Sequence, residues 1–106
     1  MGVISIACYK AKEGREASLL EIVKRHVPIL RTQGLVTDRK PLAMRAGDGT
    51  IVEVFEWRSK DAIDAAHRNT TVKDLWARFG DACDFVKLSQ LAEAGELFAN
   101  FTPIEM

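Results

Sequence analysis

The residues best suited to chemistry lie on one short strand and the helical stretch after it. In the run Ile51-Val52-Glu53-Val54-Phe55-Glu56-Trp57, alternation puts Glu53 on the face of Ile51, Phe55 and Trp57, and Glu56 on the face of Val52 and Val54. A carboxylate flanked by apolar neighbours has the character of a general base. The structural alternative is an edge-facing Glu53, ion-paired with Arg45 across the hairpin. His67 stands at the rim of an apolar helical arc, where an imidazole can transfer protons at neutral pH. It can equally serve as a helix-capping cation. Trp57, Trp76, Tyr9 and Phe79 can line a planar aromatic pocket, or fill the core, which is the plainer role for Phe79. These residues define the candidate site: Glu53 and His67 as catalytic groups, the four aromatics as ligand contacts.

Other polar groups read as structural. His26 falls inside the apolar arc of an earlier helix, as a core histidine bonded to a backbone group. Cys8 and Cys83 both fall towards the sheet–helix layer and read as reduced, buried thiols, with a redox pair as the alternative. Two isolated histidines without further ligand spacing make no metal site. No nucleophile elbow, phosphate loop or dinucleotide fingerprint is present.

The elements that must position these groups follow from periodicity. Residues 3–9 form a short, almost continuously apolar run, as in a strand covered on both faces. Over residues 16–32, Leu19, Leu20, Ile22, Val23, Val27, Ile29 and Leu30 share one side of a helical wheel. Pro28 lies on the polar side, predicting a kink rather than a stop, and Gly34 is a natural C-terminal cap. Residues 37–46 read as a second strand, Gly47-Asp48-Gly49 as a hairpin turn and residues 51–57 as a third strand. Ser59 is an N-cap for a helical segment ending near His67, and Thr71 is the expected cap of the next. A fourth strand is expected over residues 85–91, and an extended tail or extra edge strand over residues 98–104.

The order βαββαβ, with right-handed crossovers, predicts an α+β ferredoxin-like sandwich whose helices cover one face of an antiparallel sheet. The other face is also apolar in the first and third strands, so self-association into a homodimer is expected. A chain of 106 residues suits a single domain and buries only roughly 60–70% of its unfolded surface alone. Fifteen basic and fifteen acidic residues cancel, which argues against nucleic acid, since phosphate binding needs a basic patch. No stretch reaches the ~18–20 apolar residues of a membrane span, and residues 1–9 carry no basic leader, so the expected location is cytoplasmic.

The stretch Val54-Phe55-Glu56-Trp57-Arg58-Ser59-Lys60-Asp61-Ala62, continued by His67 and Leu75-Trp76, resembles the antibiotic biosynthesis monooxygenase-like family. In element order the resemblance runs through the Gly-Asp-Gly hairpin to Phe98-Ala99-Asn100-Phe101. It implies a dimeric α/β barrel, two ferredoxin-like sheets packed face to face, with a pocket between each sheet and its own helices. Enzymes of that family include oxygenases of polycyclic aromatic compounds that use neither metal nor flavin. Haem-degrading proteins of similar fold use an asparagine, a tryptophan and a histidine where this chain has Ala7, Ala66 and Trp76, so haem degradation is disfavoured.

Three functions follow. The first is a cofactor-independent monooxygenase acting on a small aromatic or enolisable compound, with Glu53 or His67 as base and Trp57 and Trp76 as walls. The second is a proton-transfer isomerase using the same base without oxygen. The third is a non-catalytic dimer that binds a small hydrophobic molecule.

Overall fold

In the computed structural model, which describes residues 2–106, the chain begins with β1 (Val3–Ala11), the strand on which the rest of the sheet assembles. Five strands and three α-helices form among the described residues, an α+β arrangement with one antiparallel sheet. After β1 come α1 (Glu16–Thr32), β2 (Leu42–Arg45), β3 (Ile51–Trp57), α2 (Lys60–Ala66), α3 (Thr70–Ala82), β4 (Cys83–Val86) and β5 (Thr102–Ile104). The sheet order is β4-β1-β3-β2-β5. Its first four strands have the order compatible with a ferredoxin-like sandwich, and β5 extends the β2 edge.

Helix α1 has the bounds its periodicity predicts. Leu19, Val23, His26, Val27 and Leu30 are buried at a spacing that keeps them on one stripe facing the sheet. Pro28 is exposed within the helix and does not end it. Gly34, at φ 70°, ends it instead. The Leu35 N–H donates to the Leu30 carbonyl at 3.1 Å and the Gly34 N–H to that of Arg31 at 3.0 Å, the paired bonds of a Schellman cap. In the hairpin joining β2 to β3, Gly49 takes φ 92° and the Asp48 carboxylate accepts from the Thr50 N–H at 2.9 Å. These bonds to Thr50 hold the Asp48 carboxyl below its ordinary range.

Four expectations need correction. Strand β2 is four residues long rather than spanning residues 37–46: Thr37 still donates to the Glu56 carbonyl at 3.1 Å, but Pro41 has no N–H for a ladder. Strand β4 starts directly after α3 and stops at Val86, where Leu88–Gln90 and Ala92–Gly95 turn into short 3-10 segments. Helix α3 is capped by Asn69, whose Oδ1 accepts from the Val72 N–H at 3.0 Å, and Thr71 lies exposed inside the first turn. Cys8 and Cys83 do not share a layer. Cys83 packs with Tyr9, Leu19 and Phe79 under the helices, whereas Cys8 packs with Val52 and Leu91 on the opposite face. Strand alternation is the cause, since Tyr9 takes the helix side and its neighbour must take the other.

The helix side holds two apolar clusters, around Tyr9, Leu75 and Phe79 and around Phe55, Trp57 and Val72. On the far side, only one end is covered, where Leu91 packs on Cys8 and Val52 with Phe101 alongside. No helix among the described residues is long and apolar enough to cross a membrane.

Candidate functional site

Between the sheet and its helices lies a cavity of about 290 Å³, at the small end of the range for ligand sites. Strand β1 contributes Ser5, Ala7 and Tyr9 to it, every second residue, as a single face of a pleated strand requires. Phe55 and Trp57 come from β3 by the same rule, and Phe85 from β4. The helical side supplies His26 from α1, Ile63 and His67 from α2 and its C-terminal cap, and Trp76 from α3. No lysine, arginine, aspartate or glutamate reaches this lining.

Tyr9 and His26 join Glu53, which lies behind the lining, in a buried polar triad. Glu53 is 0% exposed, and its Oε1 accepts from the Tyr9 hydroxyl at 2.9 Å. The same oxygen lies 2.7 Å from His26 Nδ1. An ionised Glu53 can only accept, which puts a proton on Nδ1; in the neutral tautomer of that ring, Nε2 holds the free lone pair. The ring is gripped edge-on by Phe55 and Phe79, at centroid distances of 5.1 and 5.0 Å. His26 Nε2 and Glu53 Oε2 are both buried and find no hydrogen-bond partner in the protein. Burial, and then the charge and hydrogen bond of Glu53, push the Tyr9 hydroxyl well above its ordinary value, so it stays a donor.

The predicted site residues thus separate into layers. Glu53 lies behind the wall and does not face the cavity. Its partners are Tyr9 and His26, not Arg45, which pairs in register with Ile51 and donates to the Gly49 carbonyl. His67 is exposed at the rim, its Nδ1 2.9 Å from the Ile63 carbonyl and its ring edge-on to Trp76 at 5.0 Å. Trp57, Trp76 and Tyr9 are walls. Phe79 is a layer deeper, fully buried and stacked on Tyr9 at 4.7 Å, so it supports the wall without forming it. His26 is a core histidine as its periodicity predicts, but its partner is a carboxylate rather than a backbone group.

Six further lining residues, Ser5, Ala7, His26, Phe55, Ile63 and Phe85, were not among the predicted site residues. Phe55 was visible beside Trp57 on the alternating face. Ser5 gave the weaker signal of a lone hydroxyl in an apolar strand, two residues from Ala7. Its Oγ accepts from the Trp57 indole N–H at 3.0 Å. Among the described residues no three His, Cys, Asp or Glu side chains gather as a metal-ligand set.

Arranged this way, Glu53 fixes the Nδ1 edge of an imidazole and leaves its Nε2 edge without a protein partner, beside a mostly aromatic cleft. That is the geometry of an oriented base. Comparison of the chain with family models, with curated proteins and with solved structures gives no match.

Proposed function

We propose that the chain is a cofactor-independent monooxygenase acting on a small aromatic or enolisable compound, in the manner of the antibiotic biosynthesis monooxygenase-like family its sequence resembles. The observation that carries this reading is the His26 ring, held by Glu53 through Nδ1, with Nε2 buried and without a protein partner, on a residue that lines a cavity free of lysine, arginine, aspartate and glutamate. In this scheme His26 takes a proton from an acidic C–H of the substrate, and Glu53 acts as a positioning residue that stabilises the imidazolium. Dioxygen bonds to the resulting carbanion. Loss of water from the hydroperoxide then leaves a carbonyl, one oxygen atom in the product and one in water. The substrate supplies all the electrons. The aromatic walls exclude bulk water, and His67 relays the proton at the rim.

The same reading takes the working unit to be a homodimer of ferredoxin-like subunits. Ile6, Val54 and Leu42 stand in register across β1, β3 and β2 on the face away from the helices. Ile6 is 49% and Leu42 55% exposed, and Ile4 extends the patch, which supports pairing of this face with a second copy.

Dioxygen uptake over a panel of anthrones and hydroquinones tests the reaction. Uptake above buffer, insensitive to EDTA, is expected with at least one member, falling about 10²–10⁴-fold in His26→Gln. No uptake across the panel overturns the proposal. So does turnover that persists without oxygen, the mark of an isomerase, or saturable binding without product, the mark of a binding protein.

A further inference from the structure

The cavity presents a second polar atom that the proton-abstraction scheme leaves unused. Ser5 lines the cavity on β1 directly opposite Phe55 in register, and the His26 ring rests against that same Phe55. The Ser5 Oγ therefore adjoins the aromatic surface on which a ligand beside His26 must lie. Its orientation is set from behind. Trp57 is 5% exposed, and its indole N–H can only donate, so the 3.0 Å bond to Ser5 occupies a lone pair of the hydroxyl. The Ser5 proton is left for an acceptor in the cavity. With no lysine or arginine in the lining, this hydroxyl is a neutral donor on the β1 wall placed to meet a ligand oxygen, across from the helix-borne Trp76 indole.

The geometry points to Ser5 as the specificity-determining residue of this site, donating to a carbonyl or enolate oxygen next to the carbon that His26 deprotonates. This inference rests on the reading of the cavity as a proton-abstraction site. Trp57 is the positioning residue, acting through Ser5. A donor at this place favours ligands with an oxygen on the ring system over the matching hydrocarbons, and it strengthens as the oxygen gains charge in the transition state. Carboxylate or phosphate groups find no counter-charge here, so the favoured ligand is an uncharged ketone or its phenolic tautomer.

The test uses the intact chain with 1-tetralone and its hydrocarbon counterpart tetralin, by calorimetric titration and by the infrared carbonyl stretch of bound, ¹³C-labelled tetralone. Tetralone is expected to bind the wild-type chain with its carbonyl band shifted to lower frequency. Ser5→Ala should weaken tetralone about 3- to 10-fold and return the band towards its value in an apolar solvent. Tetralin affinity should change less than about twofold. Ser5→Thr keeps the hydroxyl on a side chain suited to a strand, and should restore both the affinity and the band. Trp57→Phe should broaden the band, because the hydroxyl loses its fixed orientation. An unchanged band and affinity in Ser5→Ala overturns the inference, as does a wild-type chain that binds tetralin as tightly as tetralone or binds neither. Absent oxygen uptake with Ser5-dependent tetralone binding intact refutes the reaction and leaves the donor in place. Oxygen uptake with a silent Ser5→Ala refutes the donor alone.

Discussion

A carboxylate buried as fully as Glu53 must find its partners inside the protein, because its loss of hydration is otherwise uncompensated. Tyr9 and His26 meet that need through one oxygen, and the tyrosine carries a testable consequence. Removing its hydroxyl in Tyr9→Phe strips a donor from a buried anion, a change that costs about 1–3 kcal/mol at neutral pH. Alkaline pH adds a second effect. The native Tyr9 hydroxyl is raised, chiefly by burial, whereas the unfolded chain ionises at the ordinary value near 10. Above that pH the native state therefore holds more protons than the unfolded one, and stability falls as pH rises. Urea midpoints between pH 7 and 11 should show a steeper alkaline decline in the wild type than in Tyr9→Phe. The variant keeps a residual slope from the Cys83 thiol, which burial pushes up to about 11. Equal slopes would remove Tyr9 from the account. The neighbours of Glu53 and the inward face of His26 were both legible from strand and helix periodicity. Their meeting was not, because periodicity assigns faces within an element and says nothing about which atoms of α1 and β3 share a height.

At the scale of elements, the same limit decides which local signals succeeded. Helix α1 and strand β3 kept their predicted bounds because each has a strong period and a clear terminator, Gly34 for the helix and Ser59 for the strand's exit. At the start of α3 the expected cap was Thr71, but Asn69, two residues earlier, takes that place. Asn69 prevails because its backbone is extended, at φ −91° and ψ 120°, so Oδ1 reaches the Val72 N–H while Nδ2 donates to Gln33 at the end of α1. Asn69→Ala should thus cost about 1 kcal/mol, or about 4–8 °C in Tm, while Thr71→Ala should stay within about 0.5 kcal/mol of the wild type. Calorimetric melting of the two variants decides it, and a larger loss at Thr71 would reverse the assignment. The cap matters for the site because α3 carries Trp76, a wall of the cavity.

For the whole molecule, the sheet divides two tasks between its faces. Its helix side encloses the cavity, and its far side is covered only towards Cys8 and Val52, where the C-terminal segment folds back through Leu91 and Phe101. Ile4, Ile6, Val54 and Leu42 are what remains, an apolar strip that the apolar alternation of β1 and β3 announced in the sequence. The C-terminal cover was not announced, since residues 88–101 have no period to read and their placement depends wholly on tertiary contacts. If the proposed homodimer forms on the strip, a charge at its centre must leave water to join the interface, a cost that cross-strand packing cannot offset. Ile6→Glu should then convert a wild-type dimer into a monomer in size-exclusion chromatography with light scattering, with the far-ultraviolet circular dichroism of the fold retained. A monomeric wild-type chain, or an Ile6→Glu chain that stays dimeric, would place the interface elsewhere or abolish it. Because the strip and the cavity lie on opposite faces, the monomer should bind 1-tetralone within about threefold of the dimer's affinity. A larger loss would mean that β1, which carries Ile6 on one face and Ser5 on the other, transmits pairing to the site.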